Sequence, residues 1–218
     1  MYPDYSAALL RRAKALGMFT SNGARATPDW LETTASVLDV FGVSVDSFQH
    51  TANVASGRAT AAGATLEYSH LLRLRDACAA SGTGFKLNTV VHAGNVDDDV
   101  GEQLLELAPM RWKVFQMLLI RGENGHAAHL QVDDAAYDRY LARHAHVPHL
   151  VAEPNSVMRN SYVVMDERLR LLDCSNGGKV PSPMSVIEDV HAALAHIGFD
   201  EVAFRKRDGG FFTAASTR

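Results

Sequence analysis

At 218 residues with 47% hydrophobic side chains, the chain is long enough to bury a sizeable core, and one domain with a small appendage is expected. A net charge of -4, from 21 basic and 25 acidic residues, argues against general affinity for nucleic acid or membrane surfaces, while local basic clusters leave room for a small anionic ligand. The two cysteines, Cys78 and Cys174, lie far apart without a CxxC pair, which disfavours a disulfide framework and a structural zinc site and fits a reducing compartment. No basic segment followed by an apolar one opens the chain, and runs such as Val114 to Ile120 fall far short of the roughly 20 residues of a membrane span. A soluble cytoplasmic protein is expected.

In chain order, an amphipathic helix is predicted from Asp4 to Leu16 with Gly17 as its stop, then a short strand from Met18 to Ser21. Thr27-Pro28 sets an N-cap and first helical position for a helix through about Val37. Val40 to Ser47 reads as a strand, followed by a Gly, Ala and Ser-rich loop around Arg58. Leu66 to Ala80 reads as a helix, Phe85 to Val91 as a strand, Val96 to Leu107 as a helix and Trp112 to Ile120 as a nearly continuous apolar strand. Such strands, each followed by a helix, predict βα units and a parallel sheet covered by helices. A ligand then belongs at the carboxyl ends of the strands, at 21–23, 44–47, 88–92 and 122–124.

From Gly125 to Pro154 a His-rich loop, a helix over 133–145 and a Pro-containing connector read as a lid or packing insertion. Two short strands, 162–166 and 168–172, are predicted to form a hairpin, with Asn176-Gly177-Gly178-Lys179 as a flexible loop. A last helix is placed from Ser185 to Ile197, closed by Gly198. Residues 1–125 are accordingly expected to form a partial (βα) barrel of α/β class, and 126–218 an extension with lid, hairpin and terminal helix.

The chemistry-bearing residues cluster at the ends of the apolar runs: Ser44, Arg58, Lys86, Asn88, Arg111, Lys113, Tyr162 and Lys179. Lys86 and Asn88 are two apart and share a face of their strand, and Arg111 and Lys113 repeat that spacing on the next. Four such groups on one face are costly in a dry core, so they imply a barrel mouth or a bound anion such as a polyphosphate; the competing reading is strand-end side chains reaching for solvent. The Asn-Gly-Gly-Lys loop could lay backbone N–H groups and one ammonium against phosphates, although it equally suits a plain hairpin exit, and it is no Walker motif. His126, His129, His144, His146 and His149 lack the HExxH pattern and read as surface histidines, with no metal site expected. No GxSxG, HExxH or paired-carboxylate pattern suggests an ordinary hydrolase.

Several short segments in one order match a known family: Ser21-Asn22-Gly23, Ser44-Val45-Asp46-Ser47-Phe48, Gly57-Arg58, Phe85-Lys86-Leu87-Asn88, Arg111-Trp112-Lys113-Val114-Phe115-Gln116, Arg121-Gly122-Glu123-Asn124, Asn160-Ser161-Tyr162 and Gly198-Phe199-Asp200-Glu201. Together they resemble the viperin family of radical S-adenosylmethionine nucleotide dehydratases over nearly the whole chain. The resemblance implies the radical SAM type of (βα) barrel, a [4Fe-4S] cluster and S-adenosylmethionine as cofactors, and a nucleoside triphosphate, CTP, as substrate. A 5′-deoxyadenosyl radical would abstract a ribose hydrogen, and loss of water would give 3′-deoxy-3′,4′-didehydro-CTP, an antiviral chain terminator. By position, Ser44 and Arg58 match S-adenosylmethionine contacts, Arg58 being shared with the substrate. Lys86, Asn88, Arg111, Lys113 and Lys179 match nucleotide contacts, and Tyr162 matches a hydrogen-atom donor. Three thiolate ligands cannot come from two cysteines, so the family's CxxxCxxC and GGEP segments are expected upstream of Met1, and this chain alone is expected to be inactive. A non-catalytic nucleotide-binding remnant is the alternative, and an exposed barrel edge is expected to promote self-association.

Overall fold

Parallel pairing of short β-branched strands organises the chain. The computed structural model describes residues 20–21, 26–60, 62–158 and 161–206. The predicted helix over 4–16 lies outside them. Two units are distinguished, residues 1–115 with 133–152, and residues 116–132 with 153–218.

Five strands form one open sheet in sequential order: β1 (Thr20–Ser21), β2 (Val40–Ser44), β3 (Gly84–Val91), β4 (Arg111–Gln116) and β5 (Leu150–Glu153). Pairing is parallel from β1 to β2 and from β2 to β3, with Thr20 opposite Val40, Gly42 opposite Lys86 and Ser44 opposite Asn88. Helical segments fill the connections, as parallel neighbours require a crossover. They are α1 (Pro28–Thr34, extended by a 3₁₀ turn over Ala35–Val37), α2 (His50–Ala55), α3 (Tyr68–Ser81), α4 (Gly101–Leu107) and α5 (Asp134–Arg143). The sheet is the α/β arrangement expected of a partial barrel, and no closed barrel occurs among the described residues.

Local chemistry explains the boundaries. Thr27 caps α1 as predicted, its Oγ1 accepting from the Trp30 amide at 3.2 Å. Gly82 ends α3 with φ 70°, a left-handed conformation that suits glycine. Asp133 caps α5 by accepting from the Ala136 amide at 2.7 Å. The core of the first unit joins Leu31, Phe41, Leu71, Leu74, Cys78 and Leu87, all 0–1% exposed, beneath helices α1 and α3, which pack together.

Some predicted elements differ. The helix expected from Val96 starts only at Gly101; residues 93–97 form a turn instead, with the Val96 amide bonded to the His92 carbonyl and the Asp98 amide to the Asn95 carbonyl. The strand expected to reach Ile120 ends at Gln116; beyond it Asn124 accepts from the Ile120 amide at 2.7 Å and donates to the Leu118 carbonyl at 2.9 Å, curling the chain. The loop expected before Arg58 holds α2, and the connector after Pro148 holds β5.

In the second unit a 3₁₀ segment (Gly125–Leu130) and helix α6 (Asn155–Met158) precede a three-stranded antiparallel sheet of β6 (Val164–Met165), β7 (Arg170–Asp173) and β8 (Val180–Ser185). The last predicted helix is shorter: Ser185 ends β8, and α7 (Val190–His196) starts after Asp189, which accepts from the Ala192 amide at 3.0 Å. Gly198, at φ 56°, provides the predicted stop, and α8 (Glu201–Lys206) follows. Leu171, Ala193 and Ile197 form the core of this unit, packed by Met184, Val186 and Phe199. Among the described residues no helix is long and apolar enough to cross a membrane.

Candidate functional site

Strand alternation decides which side chains share a face. Along β3, Phe85, Leu87, Thr89 and Val91 are buried, whereas Lys86, Asn88 and Val90 are half-buried, giving two distinct faces. On β4 the Trp112 Nε1–H donates to Thr89 Oγ1 at 2.9 Å, so Trp112 stands on the same face as Thr89. Arg111 and Lys113 therefore share the opposite face with Lys86 and Asn88, as their spacing had suggested. Across the sheet, Gly42 opposite Lys86 presents no side chain and leaves room for the lysine, and Ser44 stands opposite Asn88. Arg111 and Lys113 are only 2% and 7% exposed, and Lys113 Nζ sits 5.8 Å from the centre of the Phe115 ring. Arg111 and Lys113 are thus buried cations on the face that also carries Lys86.

At the carboxyl end of β2 a cavity of about 350 Å³ is lined by Ser44, Asp46, Asn53, Arg58, Thr65 and Leu66, among others. It brings together Ser44 and Arg58, residues that the sequence placed on different segments. Asp46, only 5% exposed, organises its rim. Its carboxylate accepts from Arg58 Nε and, at 2.9 Å, from the Val90 amide, while its carbonyl accepts from Asn95 Nδ2 at 2.6 Å. Buried Asn53 donates to the Ser47 carbonyl at 2.7 Å, and its own carbonyl accepts from the Arg58 amide at 2.7 Å, which closes the loop carrying α2. His92 follows β3, with Nδ1 accepting from the Gly94 amide at 3.0 Å; burial lowers its pKa, against the pull of Asp46, so the ring is neutral.

Sequence reasoning missed Asp46 and Asn53 as site-building residues. An acid two residues past the end of an apolar strand was a usable signal for Asp46. Nothing in the spacing marked Asn53.

Tyr162 and Lys179 belong to the second unit. Tyr162 is half-buried, and Lys179 is tied to Glu123 with Nζ 2.9 Å from Oε2. The loop before Lys179 is held rather than free: Arg121 donates to the Asn176 carbonyl at 3.1 Å from its side chain and to the Gly177 carbonyl at 2.8 Å from its amide. The histidines divide. His126, His129, His146 and His149 are exposed as expected, but His144 is fully buried, because the last turn of α5 turns it against Trp112, ring centroids 5.5 Å apart and edge-on.

Neither cysteine suits an iron–sulfur cluster, which binds thiolates. Cys78 is fully buried, and that burial pushes its thiol up to about 12; Cys174, in the other unit, is raised mainly by burial as well. Among the described residues no group of three or more His, Cys, Asp or Glu side chains could hold a metal ion. These residues do not fit the cluster. The cavity at β2, with its mixed polar and apolar lining, does suit a molecule that carries both an apolar body and a charged end.

No protein-family model matches the chain. Over 197 residues it is 39% identical to the S-adenosylmethionine-dependent nucleotide dehydratase RSAD2 of Oncorhynchus mykiss, covering 88% of this chain and 56% of that protein. With the protein of the same name from Danio rerio the identity is 37%, covering 88% and 54%. The chain thus spans about half the length of these fish relatives. The fold is similar to a domain of pyruvate-formate lyase-activating enzyme from Bacteroides vulgatus, with a TM-score of 0.51 at 12% identity, covering 71% of this chain and 91% of that one. The S-adenosylmethionine-dependent nucleotide dehydratase of Flammeovirga pacifica is 30% identical over 207 residues, 92% of this chain and 70% of that protein. Similarity at that level across most of a relative's length means that the chain belongs to the S-adenosylmethionine-dependent nucleotide dehydratase family.

Proposed function

We propose that this chain forms the nucleotide-binding part of a radical S-adenosylmethionine nucleotide dehydratase acting on a nucleoside triphosphate, with CTP as the substrate. The observation that carries the reading is the common face of Lys86, Asn88, Arg111 and Lys113, set by the Trp112 to Thr89 hydrogen bond. Cations gathered on one face are suited to a polyphosphate, whose oxygens accept charge-assisted hydrogen bonds from several of them at once. Ser44 and Arg58, at the neighbouring cavity, are proposed to hold S-adenosylmethionine, the guanidinium meeting an anionic group. In the second unit, Lys179 is proposed as a phosphate contact that exchanges Glu123 for the ligand, and Tyr162 as a hydrogen donor. Bound with a cluster, S-adenosylmethionine supplies radical chemistry, but the two cysteines here do not fit that cluster.

Nucleotide binding without catalysis is the second reading, favoured by the burial of Cys78 and its protonated thiol. Both readings require triphosphate binding, and titration calorimetry with CTP tests it. Binding to the wild type that weakens about 10- to 100-fold in Lys113→Ala is expected, the scale of a charged hydrogen-bonded contact. Heat within noise for the wild type would remove both. The mass of the protein purified from its own cells separates the two: a mass well above 23.7 kDa with CxxxCxxC peptides on digestion supports the first, and a mass of 23.7 kDa supports the second. The edge at the two-residue strand β1, unpaired on one side among the described residues, is proposed as a pairing surface between copies, checked by sedimentation velocity.

A further inference from the structure

We infer that Asp46 is a positioning residue that aims Arg58 at an oxyanion in the cavity beyond β2. This rests on the ligand site proposed above, because Arg58 lines that cavity. The Asp46 side chain is 4% exposed and that of Arg58 is 43% exposed, so a buried carboxylate grips the base of a guanidinium whose outer edge is open to solvent. Only Arg58 Nε is bound to Asp46; among the described residues the two terminal nitrogens make no hydrogen bond. A guanidinium held at Nε cannot swing about its stem, and its terminal nitrogens remain available to a carboxylate or phosphate.

Asp46 is itself fixed by its carboxylate and by its backbone. The Val90 amide holds Oδ1 at 2.9 Å, Asn95 Nδ2 holds the Asp46 carbonyl at 2.6 Å, and the Val45 amide just before it bonds the Asn88 carbonyl at 2.8 Å. Strands β2 and β3 therefore set the position of Asp46, and through it that of an arginine on a loop that sequence alone leaves free. The amide of Arg58 is pinned separately by the Asn53 carbonyl at 2.7 Å, so backbone and side chain are both placed. Such preorganisation lowers the ordering cost of binding.

The oxyanion is the carboxylate of S-adenosylmethionine or a phosphate of the nucleotide, and separate calorimetric titrations with S-adenosylmethionine and with CTP distinguish them. Asp46→Asn keeps an oxygen for the Val90 amide but turns an NH₂ toward Arg58. It is expected to weaken one of the two ligands about tenfold. Arg58→Ala is expected to weaken the same ligand at least as much, and the double variant no further, because Asp46 acts through Arg58. Additive losses would mark a merely structural Asp46 and overturn the inference. Unchanged binding in Asp46→Asn would overturn it while leaving the proposed site standing, whereas no binding of either ligand by the wild type removes the site and the inference together. Should Asp46→Asn fail to fold, Arg58→Lys decides: the lysine keeps the charge but lacks the Nε–H that Asp46 grips, so affinity falls as far as in Arg58→Ala if positioning matters and is retained if charge alone does.

Discussion

Acidification should destabilise the first unit through His144. The ring is 0% exposed, its Nδ1 lies 2.8 Å from the Tyr140 carbonyl, and its Nε2 lies 3.1 Å from the Val100 amide, so Nδ1 carries the proton and Nε2 must accept. A second proton would abolish the bond to Val100 just before α4 and bury a charge. Burial accordingly lowers the pKa from 6.5; the Tyr140 carbonyl and Asp99 oppose that shift, and Arg143 and His146 reinforce it. Below 6.5 the unfolded chain takes up a proton that the folded chain refuses, so the stability is complete above that pH and is lost as pH falls through the folded pKa. Between about pH 7.5 and about pH 5.5 one such histidine costs up to about 1.4 kcal/mol. His92, also buried with a lowered pKa, contributes in the same direction. Urea unfolding of wild type and His144→Gln at the two pH values measures this. The variant should be less stable at both, and its pH-dependent loss should be smaller than that of the wild type. Equal pH dependence in the two proteins would refute the assignment.

Three further outcomes follow from packing and capping. Asp133→Ala removes the acceptor for the Ala136 amide and should cost about 1 kcal/mol of stability in urea unfolding, since the exposed cap adds little else. In Gly84→Ala the new Cβ would overlap Met110 Sδ; the flexible thioether must move, at a cost of about 1 kcal/mol that Met110→Ala in the same chain partly restores. Cys78 should resist iodoacetamide in the native protein at about pH 8, because its thiol is buried and raised to about 12, and should react fully in denaturant; native labelling confirmed by peptide mass would contradict the burial.

The face shared by Lys86, Asn88, Arg111 and Lys113 was half legible in advance. Spacing of two along a strand placed each pair on one side, because alternation is a local property of the extended backbone. Which side of β4 matches which side of β3 depends on register between strands distant in sequence, and the Trp112 to Thr89 bond decided it. Element boundaries show the same division. Thr27 before Pro28 marked the start of α1 because a cap acts over three residues, and Gly198 marked the end of α7. Strand β8, with Pro181 and Pro183, carried no strand pattern at all, and forms because it borders β7.

By itself, the sequence determined the α/β character, the alternation of β2, α3, β3, α4 and β4, the family resemblance and the presence of cationic pairs, all of which are written in local periodicity or in short ordered matches. Tertiary structure alone decided that Ser44 and Arg58 border one cavity, that Asp46 holds Arg58, and that His144 is a neutral core residue rather than a surface one. Each of these depends on contacts between segments separated by a crossover or a loop. Their energies come from desolvation and hydrogen-bond geometry, which arise only once the segments are packed together.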